Sequence, residues 1–315
     1  GLAKTGHLSA PVTSRPEARF APRHGHRGPW RHEGVTGMST DEQAEPGPLA
    51  ILLDTLDLED IERDIFRGKT PPTRLQRVFG GQVAGQALVA AQRTVPDRLV
   101  HSLHGYFLRA GAPEQPIVYE VDRIRDGRSY TTRRVVGIQG GRAIFNLQAS
   151  FQVAEEGYDH QRAMPSGLDD PGTLPDWTHR FGPLAEDDPR PAPSVPFVLR
   201  LAPPAGGYDR LLWLRTVGPL ADDPMLHRCV LAYASDLTLL SVAFEPLGPT
   251  VDPPSFVASL DHAMWFHRPF RVDEWMLYAQ VSHSSSGGRG LTEGHLFTAD
   301  GCLAVTVVQE GAMRP

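Results

Sequence analysis

The chain has 315 residues, 40% of them hydrophobic and 22% charged, with a net charge of −6. That length suits roughly two domains of ~150 residues and a core large enough to fold without a metal or disulfide staple. Two cysteines, Cys229 and Cys302, exclude a disulfide framework and a four-cysteine zinc site, and the acidic balance speaks against a nucleic-acid partner. No uninterrupted apolar run reaches the ~18–20 residues of a membrane-spanning helix.

Charge is unevenly spread. Residues 1–37 hold Lys4, Arg15, Arg19, Arg23, Arg27 and Arg31 against Glu17 and Glu33, so this stretch is +4 and the other 278 residues carry −10. Residues 1–48 have Gly and Pro throughout and no hydrophobic period, which predicts a disordered tail. No apolar h-region of a secretory leader is present in it. Met38-Ser39-Thr40-Asp41-Glu42 reads as a natural start, which would make residues 1–37 upstream sequence.

From Leu49 to Ile61 the apolar residues fit a short amphipathic helix. A second helix opens at Gly80-Gly81-Gln82 and runs to Ala91. Ala84, Gly85, Ala87, Ala90 and Ala91 let it lie very close to its neighbour, the expected reason for a mid-helix glycine that costs about 1 kcal/mol. After Pro96 the period becomes 2, with strands expected at 100–109, 116–125, 129–138 and 142–153. Asp126-Gly127 and Gly140-Gly141 are hairpin signals between them. Residues 165–204 are rich in proline and read as a linker. A strand at 209–217 follows, then a helix over 224–243 and strands at 255–267, 274–284, 289–298 and 302–312.

The two halves repeat. Tyr106-Phe107-Leu108-Arg109 matches Trp265-Phe266-His267-Arg268 at an offset of 159, and Gly127 and Gly141 match Gly287 and Gly301 at 160. Each half reads as a helix followed by four strands. Helix and antiparallel sheet in duplicate make an α+β architecture in which each sheet wraps its helix.

Several chemical motifs fail. Arg67-Gly68-Lys69-Thr70 ends like a phosphate-binding loop, but Arg63 stands where the leading glycine belongs. No Gly-x-Ser-x-Gly elbow occurs, so water is a simpler nucleophile than serine. His262 and His267 are five apart on one strand and point to opposite faces, which suits core or subunit contacts better than a metal. Arg109 and Arg268, mates in the repeat, stand at strand ends where they could meet ligand phosphates or pin the sheet by a salt bridge, and the structural role is favoured.

Longer segments carry a resemblance. Phe66-Arg67-Gly68, Val78 to Ala87 and Val100 to Arg109 in the first half are similar to the acyl-CoA thioesterase II family. So are Tyr233 to Leu237, Leu260 to Phe270 and Val308 to Gly311 in the second. The resemblance covers about residues 49–314 and implies the double hotdog fold: an N-terminal hotdog over 49–164, the Pro-rich linker over 165–204 and a C-terminal hotdog over 205–315. It implies hydrolysis of fatty acyl-CoA by a water held by three side chains, which fall on Asp236, Ser259 and Gln309. The family has Thr at the second position; Ser keeps the hydroxyl and loses a methyl that stiffens the rotor. No cofactor or metal is implied.

The residues themselves suit that chemistry. Asp236 lies among Val230, Leu231, Ala234, Leu237 and Leu239, where desolvation raises a carboxylate pKa toward the range of a general base. The N–H groups of Gly81 and Gln82, at a helix start, are candidate oxyanion donors. Two alternatives remain open at this level: a non-catalytic acyl-CoA-binding hotdog, and a hotdog enoyl-CoA hydratase, whose Asp-x-Asn-Pro-x-His segment is absent. A cytoplasmic homodimer or higher homo-oligomer is the expected setting.

Overall fold

A computed structural model describes residues 46–73, 75–178, 195–248 and 255–314. Of the tail expected over residues 1–48, residues 1–45, with the start at Met38, lie outside them, and Pro48 already opens the first helix. In chain order the elements are α1 (Pro48–Leu56), β1 (Glu59–Glu62), β2 (Ile65–Gly68), α2 (Gly80–Arg93), β3 (Leu99–Phe107), β4 (Ile117–Asp126), β5 (Tyr130–Gln139) and β6 (Arg142–Gln152). The second half holds β7 (Phe197–Ala202), β8 (Arg210–Thr216), α3 (Pro224–Ser235), β9 (Phe256–Ser259), β10 (Asp261–Phe266), β11 (Met276–Ser286), β12 (Arg289–Thr298) and β13 (Leu303–Arg314).

Alternation and hairpin glycines place the long strands within one or two residues of expectation. The differences have local causes. β1 and β2 escape a period-2 reading because each has four residues and β1 is wholly exposed. β7 falls inside the span read as linker, so the second half starts before residue 204. The expected helix over 224–243 ends at Ser235, and Leu240–Leu247 forms a separate 3-10 segment. The apolar span Pro224–Leu247 is long enough on composition alone to cross a membrane, contrary to the expectation of no such run, but it is broken at Asp236 and largely buried in the core. The expected strand over 255–267 is likewise two strands, β9 and β10, parted at Leu260.

All thirteen strands join one antiparallel sheet in the order β1-β2-β4-β5-β6-β3-β10-β13-β12-β11-β8-β7, with β9 paired to β13. The halves meet where β3 pairs with β10, and there His104 pairs with Ala263, its own counterpart at the offset of 159. A pseudo-two-fold axis therefore passes through that pair. The repeat extends to single hydrogen bonds. Leu108 N–H donates to Ile144 O and His267 N–H to Ala304 O, both at 2.8 Å. Arg109 donates to Ala143 O at 2.7 Å and Arg268 to Leu303 O at 3.0 Å, so both pin the sheet through backbone carbonyls, and of the expected salt bridges only that of Arg268, to Asp159, is present among the described residues.

α2 packs on the inner face of β3 to β6 and against α3, and in the second half β11 to β13 pack on the 3-10 segment Leu240–Leu247 that follows α3, so each half sheet wraps helical backbone as a double hotdog requires. One continuous apolar cluster spans both halves, from Leu52, Val83 and Leu88 to Leu231, Met264 and Val307. The small residues of α2 explain the close approach: a Cβ at Gly85 would lie 3.3 Å from Cys229 O, and one at Gly81 only 2.3 Å from Tyr233 O.

Candidate active site

The break at the end of α3 creates the site. Asp236 caps that helix in the αR conformation, and its side chain turns toward the start of α2. Three chain segments then converge on one carboxylate. Gln309 of β13 donates through Nε2 to Asp236 Oδ1 at 2.6 Å and to Ser259 Oγ at 2.8 Å. Ser259, at the end of β9, donates to Asp236 Oδ1 over a longer 3.4 Å. The backbone N–H of Gly81 donates to the same carboxylate. The three residues assigned by resemblance thus sit together, although 23 and 50 residues separate them along the chain.

Opposing forces act on the Asp236 carboxyl. Burial raises its pKa and the donors Gln309, Gly81 and Ser259 lower it; burial wins, and the net value is about 6. The carboxylate also stands at the negative end of α3 and the positive end of α2, so the helix dipoles largely offset each other. An acid with a pKa near 6 ionises at neutral pH yet remains a far better proton acceptor than a surface aspartate.

The reading of Gly81 as an oxyanion donor needs correction. Its N–H is engaged by Asp236, because the carboxylate docks directly on the first turn of α2. Gln82 lies one residue on. Its side chain bonds Lys69 O at 3.2 Å, and Val83 is the first residue of the helix to bond back to Phe79 O. The N–H of Gln82 therefore remains one of the helix-start donors.

One functional neighbour was missed. His262, read as a core residue, is buried beside Gln309 and bonds Ser235 Oγ through Nε2 at 2.8 Å. The Gln309 amide interacts with this ring and favours its protonated form, but burial dominates and pushes the pKa down to about 4. Among the described residues His262 Nδ1 and Gln309 Oε1 are both buried without a hydrogen-bond partner, while the NH2 of Gln309 faces Asp236 and Ser259. A lone histidine on a strand carries no signal of this place, since its partner Ser235 lies 27 residues before it.

The duplication supplies an internal comparison. At the repeat offsets Ser259 corresponds to Val100 and Gln309 to Ala149, and the register agrees: Val100 pairs with Phe151 as Ser259 pairs with Gly311. Thr94 caps α2 as Asp236 caps α3. The first-half position thus has neither carboxylate nor amide. It is filled by Arg133, 1% exposed, which donates to Thr94 Oγ1 at 2.8 Å and to Asp126 at 2.6 Å. Among the described residues the cluster of Asp, Ser and Gln therefore occurs at one of the two equivalent positions.

Known proteins share the fold and the sequence of both halves. Residues 204–312 match the profile of the acyl-CoA thioesterase family, and residues 69–152 match the acyl-CoA thioesterase N-terminal domain. Acyl-coenzyme A thioesterase 8 of Homo sapiens is 40% identical over 87% of this chain and 92% of its own length. Acyl-CoA thioesterase 2 of Haemophilus influenzae is 38% identical over 84% of this chain and 96% of its own. Among solved structures, an acyl-CoA thioesterase II from Mycobacterium marinum is 46% identical, covers 84% of this chain and 98% of its own, and superposes with a TM-score of 0.72.

Proposed function

The chain belongs to the acyl-CoA thioesterase family and is a thioester hydrolase, and on that premise we propose that Asp236, Ser259 and Gln309 activate and hold the attacking water. Asp236 accepts a proton as the water oxygen bonds to the thioester carbonyl carbon. The tetrahedral intermediate then collapses, the C–S bond breaks, and the thiolate takes the proton back from Asp236. Ser259 and Gln309 orient the water, and the N–H of Gln82 with the positive end of α2 receives the oxyanion. The observation that carries this reading is the convergence of the Ser259 and Gln309 side chains and the Gly81 N–H on the Asp236 carboxylate, with Val100 and Ala149 in place of the two side chains at the duplicated position.

Thiol release from acyl-CoA esters tests it. In Ser259→Ala, kcat is expected to fall roughly 10–100-fold, the size of a lost hydrogen bond to a charged group. In Ser259→Thr it should stay within a few-fold, because the hydroxyl remains. An unchanged rate in Ser259→Ala would remove that residue from the reaction.

pH supplies a second check. The base must be ionised, so kcat/KM is expected to rise with pH through about 6 and then level off. A limb near pH 4 instead would mean an ordinary, solvated carboxylate.

A further inference from the structure

An acidic body is a poor partner for a polyanionic thioester, so the substrate needs a local cationic anchor. Two arginines converge beside the site. Arg77 Cζ lies 5.2 Å from the centroid of the Phe256 ring, and Arg314 Cζ lies 5.4 Å from the same centroid. Among the described residues neither has a carboxylate partner, and both are exposed. The nearby Glu310 is committed to Arg289 at 2.9 Å.

Two routes along the chain tie this cluster to the carboxylate. Phe256 opens β9, and Ser259 closes it about 10 Å further on at ~3.3 Å per residue. Arg77 stands three residues before Gly80, whose Cβ position lies 2.6 Å from Asp236 Oδ2. Strand alternation puts the Phe256 ring and the Ser259 hydroxyl on opposite faces of β9. Among the described residues β9 is paired only to β13, so its other edge is open. A ligand can cross that edge with one end inside the sheet and the other outside.

We infer that Arg77 and Arg314, with the Phe256 ring they share, bind the phosphorylated nucleotide end of the CoA ester outside the sheet while its thioester crosses the edge of β9 to reach Asp236. Guanidinium groups suit this task because their fork matches phosphate oxygens, and the ring they share holds the two side by side. The inference rests on the thioester hydrolase reading and adds the residues that recognise the carrier.

The test compares two substrates with the same acyl group, an acyl-CoA and the corresponding acyl-pantetheine, which lacks the nucleotide. In Arg77→Glu and in Arg314→Glu, KM for acyl-CoA is expected to rise about tenfold each, the worth of one charge-assisted contact, with kcat within twofold. Neither constant should move for acyl-pantetheine. Raising salt should raise KM for acyl-CoA in the wild type and much less in the double variant. An unchanged KM for acyl-CoA in the double variant overturns the inference, as does an equal rise for both substrates. If the wild type releases no thiol from either ester, the hydrolase reading fails by itself. Calorimetric titration of CoA then decides the anchor: weaker binding in the double variant supports it, and equal binding overturns it.

Discussion

In Asp236→Asn, kcat for acyl-CoA hydrolysis falls about a thousandfold while the protein stays folded. General-base catalysis contributes on the order of 10²–10⁴, and the amide keeps the shape of the carboxylate without its proton affinity. Thiol release measures the fall, and a loss of less than tenfold would assign the base elsewhere. The same variant carries a thermodynamic signature. The folded-state pKa of Asp236 is about 6, above the 3.8 of the free side chain, so the fold prefers the protonated form. Its contribution to stability is complete below about pH 4 and is lost as pH rises through about 6. Above that the ionised group costs about 1–3 kcal/mol, discounted for the residual solvent access of this partly exposed side chain. The stability of Asp236→Asn relative to wild type should therefore improve between pH 4 and 6 and stay constant above. Thermal melts across that range read it, and a flat difference would mean that Asp236 ionises as it does in the unfolded chain.

Asp236 is conspicuous in the sequence as a carboxylate in an apolar helix, whereas Ser259 and Gln309 carry no signal of their own and are assigned by the family resemblance alone. The duplication marks them only once register is known, since the matching positions hold Val100 and Ala149. The turn at Asp236 was not readable. Leu237, Leu239, Leu240 and Val242 continue the apolar period, and the break is imposed by the contacts that draw the carboxylate to Gly81 and Gln309. β7 was hidden by the prolines around it, and its pairing partner β8 lies beyond a loop that carries no strand signal. Gly81 was assigned to the right place with the wrong acceptor, because sequence locates a helix start but not what docks there. Arg133 did leave a trace. It stands two residues before buried Val135 on β5, so alternation alone points its side chain inward. Its role became clear only with Thr94 and Asp126 in position.

Close packing at the start of α2 yields the second large effect, and it separates fold from chemistry at adjacent residues. A Cβ at Gly81 would lie 2.3 Å from Tyr233 O and 2.5 Å from the Phe79 ring, so α2 must lift from α3. Overpacking of this kind costs about 1–3 kcal/mol, and Gly81→Ala should lower the melting temperature by several degrees. A Cβ at Gly80 meets Asp236 Oδ2 at 2.6 Å and the Phe107 ring at 3.0 Å. Here a side chain yields before a helix does, so Gly80→Ala should displace the carboxylate. A shift near 1 Å in a catalytic group costs on the order of 10²-fold in rate. Gly85→Ala lies on the same helix away from the carboxylate; its Cβ meets Leu56 at 3.1 Å and Cys229 O at 3.3 Å, and this crowding opposes a gain of up to about 1 kcal/mol in helix propensity. Melting and thiol-release assays on the three variants should rank Gly81→Ala lowest in stability and leave the kcat of Gly85→Ala near wild type. Gly80→Ala should be the one whose kcat falls out of proportion to its melting temperature. If Gly80→Ala instead keeps full activity, the position of Asp236 against the start of α2 is not what the reaction requires.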